Sequence, residues 1–342
     1  MNKLRLIRII VAAIVFIAAF GTLLNIFPSS GIAQYILELQ FTPALMGVLT
    51  GSFTLLILLL LITLLFGRVY CSFLCPLGIF QDFIFFISTK ILKKTNKDYV
   101  KKNRGFKKPH NVLRYGILIF IFVCFTIGLT LPLSLLDPYS IFGKISNSFI
   151  VHMNNGINNI FSDLLPDTFY YQKYATWSFY SFVYSAIMLI LIISISSVRG
   201  RLYCNSICPV GTFLGLISQN SLFRIVIDKD MCIGCSQCSR NCKSNCIDIN
   251  TKEIDYSRCV MCFDCINNCK RGGVKVIPYW KANSKEQTKQ NKGRRNAIIA
   301  MGGLAGALAV RKYVNPVSYL SGKKNTENSP ILPPGAMNLE AF

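Results

Sequence analysis

The sequence predicts a polytopic α-helical membrane protein that carries a small α+β cysteine-rich domain. Three observations support this. The chain of 342 residues is 52% hydrophobic and only 15% charged, yet its formal net charge is +22. Soluble domains run at roughly 25% charged. Four apolar runs contain no charge, and each is long enough to cross a bilayer, which takes about 20 helical residues. The 14 cysteines fall into repeated, short-spaced motifs. Concentrated cations beside long uncharged runs suit a membrane protein with basic cytoplasmic loops. They exclude an ordinary cytosolic enzyme, a disordered chain and a nucleic-acid binder with basic residues spread over a folded surface.

The apolar runs are residues 9–27, 41–66, 115–136 and 174–198. Lys3, Arg5 and Arg8 precede the first run as in a signal peptide, but no small-x-small cleavage site follows before Pro28. An uncleaved anchor is therefore expected. Between the second and third runs, Lys90, Lys93, Lys94, Lys97, Lys101, Lys102, Arg104, Lys107 and Lys108 crowd residues 90–108, opposed there only by Asp98. The loop 29–40 has no cation, and the loop 137–173 has only Lys144 and Lys173. Positive residues stay inside, so the N-terminus, the basic loop and everything beyond Val198 are expected on the cytoplasmic side of the membrane. The basic loop would face anionic lipid. Tyr170, Tyr171, Tyr174 and Trp177 would form an outer aromatic belt, and the Phe-rich segment 79–92 would lie as a helix in the interface.

Residues 67–80, Gly-Arg-Val-Tyr-Cys-Ser-Phe-Leu-Cys-Pro-Leu-Gly-Ile-Phe, recur as residues 200–213, Gly-Arg-Leu-Tyr-Cys-Asn-Ser-Ile-Cys-Pro-Val-Gly-Thr-Phe. Each copy follows an outside-to-inside run, so each repeat is a two-helix unit closed by a cysteine motif, and the units run parallel. Cys71 and Cys75, like Cys204 and Cys208, stand four positions apart, which puts both thiols on one face of a helix. Pro76 and Pro209 would stop or kink that helix. If the repeats pack about a shared axis, these four thiols converge at the membrane surface. Four thiolates there would suit a further iron–sulfur cluster or another soft metal. Packing residues or a redox-active thiol pair are the alternatives. Arg68 and Arg201 read as interfacial anchors rather than ligands of a quinone head group.

From Cys232 the pattern is more specific. Cys232, Cys235, Cys238 and Cys242 form C-x2-C-x2-C-x3-C, and Cys259, Cys262, Cys265 and Cys269 repeat it. Two such runs are the signature of a two-cluster bacterial ferredoxin, in which each fourth cysteine serves the other cluster. Cys232, Cys235, Cys238 and Cys269 are assigned to one [4Fe–4S] cluster, and Cys259, Cys262, Cys265 and Cys242 to the other. Zinc is the structural alternative. The Pro expected after each fourth Cys is replaced by Lys243 and Lys270, which sets a cation beside each cluster. Cys246 and Cys124 read as packing residues, and 247–249 with 254–256 as short strands joining the two halves. The expected fold is thus a four-span, two-helix-repeat membrane protein with a small α+β two-cluster ferredoxin domain.

At these residues the chain resembles the membrane ferredoxins of the NapH family, with relatives in NosR and in the CcoG-type oxidase-assembly proteins. The resemblance covers roughly residues 1–280 and rests on the four runs, the two C-x3-C-P motifs and the paired ferredoxin motif. It implies a quinol dehydrogenase component that passes electrons between the membrane quinone pool and a ferredoxin-like or cytochrome partner. Membrane lipid is a further expected partner and nucleic acid is not. No catalytic side chain is expected, because the clusters carry the redox work. No C-x-x-C-H haem site, P-loop or dinucleotide fingerprint occurs in the sequence. His110 and His152 are expected on opposite sides of the membrane, which disfavours paired haem ligation. The alternatives are an assembly factor that reduces or delivers copper to a respiratory enzyme, and a redox-responsive regulator.

The expected organisation is a first transmembrane repeat at 1–90, a basic loop at 91–110 and a second repeat at 111–220. The ferredoxin domain follows at 221–280, then a basic linker at 281–296. A fifth hydrophobic or twin-arginine-like segment is a candidate at 297–312, after Arg294 and Arg295, and a tail occupies 313–342. The segment and the tail resemble the start of NapG/MauM ferredoxins, and the expectation is a truncated NapH–NapG fusion or a chain that has lost its last module.

Overall fold

A computed structural model describes residues 3–23, 38–49, 53–95, 104–164, 179–281, 299–303 and 306. The expected aromatic belt, the centre of the basic loop, the arginine pair and the tail lie outside the described residues. The architecture is a helical assembly with a small β-containing module docked on one end.

Two helices are long and apolar enough to cross a membrane, over Lys3–Thr22 and Phe179–Arg199. The first buries one stripe, Arg8, Ala12, Val15 and Ala19, and turns Ile7, Ile10, Ile14 and Ile17 outward. Spacings of three and four residues put the buried set on one helical face. Outward-facing Ile57, Ile119 and Ile190 are 60–65% exposed, and apolar surface on that scale suits lipid rather than water.

The third apolar run is interrupted rather than continuous, and two helices are described within the second. Run 41–66 contains helices Phe41–Leu49 and Thr54–Phe66. Run 115–136 is divided between Asn111–Thr126 and Leu131–Leu136. Gly128 takes a left-handed φ of 96°, Leu129 N–H turns back to the Cys124 carbonyl, and Pro132 opens the next helix. A left-handed residue ends a helix, and Pro is tolerated only in a helix's first turn. Helix Pro76–Thr95, which covers the expected interface segment, packs along Phe179–Arg199 and leaves Phe83, Phe86 and Ile91 outward.

The cysteine-rich module is framed by two antiparallel strand pairs. β1 (Phe223–Ile227) pairs with β4 (Val274–Pro278) in the register Phe223 to Pro278 and Ile227 to Val274. β2 (Ile247–Asp248) pairs with β3 (Glu253–Ile254). The expected strands at 247–249 and 254–256 correspond to β2 and β3; β1 and β4, which close the module, lack a cysteine marker in sequence. The two halves repeat in backbone conformation. Gly234 and Ser236 in the first half, and Met261 and Phe263 in the second, take left-handed φ values of 51–74°. Ser236 and Phe263 each immediately precede a short helix, Gln237–Arg240 and Asp264–Asn268. A left-handed residue reverses the chain within one turn, which brings each cysteine triplet around a common centre.

Two buried side-chain clusters meet at the junction. One combines membrane-repeat residues with Cys71, Cys75, Cys204, Cys208 and Cys262. The other holds Ile225, Ile227, Val274 and the module's remaining buried cysteines, with Val69 and Phe73 of the first repeat packed against it. The Ser257 carbonyl of the module accepts from Arg68 Nη1 at 3.1 Å and from Arg114 Nη2 at 2.8 Å.

Candidate iron–sulfur sites

Cys71 lies in the short helix Tyr70–Phe73, and Cys75 immediately precedes helix Pro76–Thr95. Cys204 lies in Leu202–Ser206, and Cys208 is the N-cap of Pro209–Ser218, its sulfur accepting from Gly211 N–H at 3.3 Å. In each motif the first cysteine thus lies in one helix and the second at the start of the next, not on one face of a single helix as the spacing suggested. Proline opens the second helix because it has no N–H to leave unpaired there. The four thiols, 2–4% exposed, come within electrostatic reach of one another.

Arg68 and Arg201, expected as interfacial anchors, are instead fully buried. Arg68 Nη2 donates to the Cys204 carbonyl at 3.1 Å, and Arg201 Nη1 to the Cys71 carbonyl at 2.6 Å. Each repeat's arginine therefore holds the backbone of the other repeat's first cysteine. A planar guanidinium offers five donors and can satisfy several carbonyls at once. Gly78 and Gly211 make room for this exchange: a Cβ would stand 2.4 Å from the Cys71 carbonyl oxygen and 2.2 Å from that of Cys204. Gln81 accepts from the Cys204 thiol at 3.2 Å.

Next to these thiols lies a buried charge lattice that the sequence did not single out. Asp82 is ion-paired with Arg8, with Arg201 at 2.7 Å and with Lys243 at 3.1 Å. Lys243 continues to Asp264 at 3.1 Å, which Arg5 reaches at 2.7 Å. The lattice ties the N-terminal helix, both repeats and the cysteine module together, with four cations on two carboxylates. Burial raises the Asp264 carboxyl, but Lys243, Arg5 and Arg8 outweigh it and hold the group below its ordinary range.

The second thiol set is Cys242, Cys259, Cys262 and Cys265, all buried; Cys265 is within electrostatic reach of the other three. Burial pushes the Cys262 thiol up to about 12. A thiol held that high is neutral near pH 7 unless a metal ion supplies the compensating charge. Cys246, expected as a packing residue, has its sulfur 3.5 Å from Cys242 Sγ and also hydrogen-bonds the Cys259 thiol. Its position in sequence, where a small residue is expected, gave no signal of this.

The third set is the most open. Cys232, Cys235, Cys238 and Cys269 line one cavity of about 230 Å3 together with Ile227, Val274, Lys270 and Arg271. Cys235 is exposed, Cys232 and Cys269 are half-buried and Cys238 is buried. Cys269 of the second motif lines the cavity with the first triplet, and Cys242 of the first motif lies within electrostatic reach of Cys265. Among the described residues, no three His, Cys, Asp or Glu side chains are drawn tightly enough to hold a single metal ion. A [4Fe–4S] cluster carries its four thiolates on four separate irons. Soft thiol donors, apolar linings and N–H groups aimed at sulfur fit such a cluster.

Comparison with known proteins bears on these sites. A family model described as a 4Fe-4S binding domain matches residues 48–95 and 182–229, the two C-x3-C-P repeats and their flanking helices. The putative electron transport protein YccM of Escherichia coli is 25% identical over 67% of this chain and 56% of its own length. The methylamine utilization ferredoxin-type protein MauN of Paracoccus denitrificans is 26% identical over 58% of this chain and 54% of its own. The ferredoxin-type protein NapH of Haemophilus influenzae is 24% identical over 54% of this chain and 51% of its own. The chain spans about half the length of these named relatives. No solved structure matches.

Proposed function

We propose that this chain, which is similar to the NapH-type 4Fe-4S ferredoxin proteins, is a membrane-bound quinol dehydrogenase component, moving electrons between the quinone pool and a partner redox protein. Iron–sulfur electron transfer is the common ground with its relatives. The observation that carries the finer reading is the graded burial of three four-thiol sets within one packed body. One opens to the surface, one is enclosed in the module, and one is sealed among the membrane-repeat helices.

In this reading Cys232, Cys235, Cys238 and Cys269 hold the outer cluster, and Cys242, Cys259, Cys262 and Cys265 the inner one. Cys71, Cys75, Cys204 and Cys208 hold a third at the membrane face. A bound [4Fe–4S] cluster supplies reversible one-electron transfer at a potential set by burial, charge and hydrogen bonds to sulfur. Arg68 and Arg201 keep the membrane-face thiols in register, and the apolar helices exclude water from them. The surplus cations around Asp82 and Asp264 offset negative charge between the inner and membrane-face sets. The ion pair between Arg5 and Asp264 holds the N-terminal helix against the module. This supports the cytoplasmic placement of both that the positive-inside pattern predicts. Lys270 and Arg271 beside the outer cavity suit an acidic partner.

The test is anoxic. Purified protein receives a menaquinol analogue, and cluster reduction is followed by EPR, with dithionite giving the full signal. Reduction by quinol supports the assignment. Reduction by dithionite alone contradicts it and favours a role in which quinol is not the donor.

A further inference from the structure

A second kind of site lies away from the thiols. A cavity of about 30 Å3 opens where helix Phe179–Arg199 ends, helix Asn111–Thr126 begins and the cysteine module docks. Its lining includes Lys107, Lys108, His110, Arg199, Arg258 and Ser244, and no carboxylate. Arg258 is 5% exposed; its Nε is held by Asp255 at 2.6 Å and its Nη1 by the Lys107 carbonyl at 2.8 Å. Its Nη2 is buried without a hydrogen-bond partner, as is the hydroxyl of Ser244, which is 4% exposed. Buried donors of this kind are seldom left unmatched. His110, the N-cap of a 16-residue helix, makes no side-chain capping bond, so the positive end of that helix also stands at the cavity.

We infer that this cavity binds a phosphate group, presented by the headgroup of an anionic phospholipid. Concentrated cations, an orphaned buried guanidinium N–H, a hydroxyl and an uncapped helix N-terminus are the donors that a phosphate oxygen takes. The volume admits phosphate oxygens and leaves the rest of a headgroup at the mouth. The lipid source follows from the neighbouring surface. Val112 is 91% exposed and Leu113 50%, in the first turn beside the basic residues, so an apolar strip adjoins the anion site as acyl chains require. The occupied site would also brace the redox body. Asn205 lines the cavity and accepts from Arg68 Nη1 at 2.8 Å, and that same arginine holds the Cys204 carbonyl.

The inference rests on the membrane placement proposed above, which carbonate washing of membranes checks separately; release of the chain by carbonate would overturn both. Full-length holoprotein in neutral detergent is titrated with phosphatidylglycerol, phosphatidylcholine and inorganic phosphate, and bound lipid is counted by native mass spectrometry. Phosphatidylglycerol is expected to bind saturably and in preference to phosphatidylcholine. The variant Lys107→Gln/Lys108→Gln/Arg199→Gln should weaken it by roughly a hundredfold, since each cation near an anionic surface contributes roughly fivefold. Its EPR signals should match those of the wild type, which shows that the body is intact. Inorganic phosphate binding that the variant loses, without preference for phosphatidylglycerol, would keep the phosphate site and overturn the lipid source. Equal binding of both lipids with no variant-sensitive phosphate binding, or wild-type binding by the variant, would overturn the site.

Discussion

Cys235 stands exposed on the rim of an open cavity, with Lys270 and Arg271 beside it. Cys71, Cys75, Cys204 and Cys208 are 2–4% exposed and held by two arginines that cross between repeats. The outer set is built by a local turn repeated within one short segment, where left-handed residues fold each triplet around itself. The membrane-face set is built by long-range exchange, because each motif supplies only two thiols and must meet its copy from the other repeat. The first design tolerates solvent and suits contact with a partner. The second depends on buried polar partners, so it should fail when they are removed.

The largest expected effect follows from Asp82. Asp82→Ala leaves Arg8, Arg201 and Lys243 buried around a missing carboxylate, and stripping one member from a buried ionic group costs about 3–5 kcal/mol. Thermal unfolding in detergent should shift down sharply, far more than for Asp230→Ala on the module's exposed surface. Equal shifts would mean that the lattice does not hold the body together. Gly211→Ala is expected to come next. Its methyl would meet the Cys204 carbonyl oxygen at 2.2 Å and Arg68 Nη2 at 2.7 Å, and overpacking costs roughly 1–3 kcal/mol. Gly116→Ala has nothing within 4 Å of its Cβ and should leave the unfolding temperature unchanged or slightly higher, since Ala is the better helix former.

Oxygen separates the two regions kinetically. On brief exposure to air, the EPR signal of the outer site should decay first, while the enclosed sites persist. Simultaneous loss would erase the distinction in burial. The smallest effect is expected from Cys246→Ala. Removing a thiol hydrogen-bonded to Cys242 and Cys259 should lower the inner cluster's potential by ~20–60 mV, the equivalent of roughly 0.5–1.5 kcal/mol for one electron. An EPR-monitored redox titration would read this shift.

The module's two cysteine runs were legible in the sequence because the C-x2-C-x2-C-x3-C spacing repeats, and Cys269 of the second run does line the cavity of the first triplet. The meeting of Cys71 and Cys75 with Cys204 and Cys208 was legible as a duplicated motif, though its local geometry was not. Proline opens a new helix after each motif, so the thiols converge across a break. The cross-repeat roles of Arg68 and Arg201 were hidden, because an arginine next to an apolar run looks like a surface anchor until a buried carbonyl is found for it. Asp82 gave no local signal, since its three cationic partners come from distant parts of the chain. The interruption after Thr126 was masked by an unbroken apolar composition, although Gly128 and Pro132 mark it in hindsight.

The central claim is that the membrane-repeat thiols hold a cluster of their own beside the two of the module. Iron analysis of anaerobically purified protein, wild type against Cys71→Ser/Cys204→Ser, tests it most directly. Three four-iron clusters predict about 12 iron atoms per wild-type chain and about 8 in the variant, with the module's EPR signals retained. A wild-type chain holding about 8 iron atoms, with no change on substitution, would contradict the claim and leave those four thiols as packing residues.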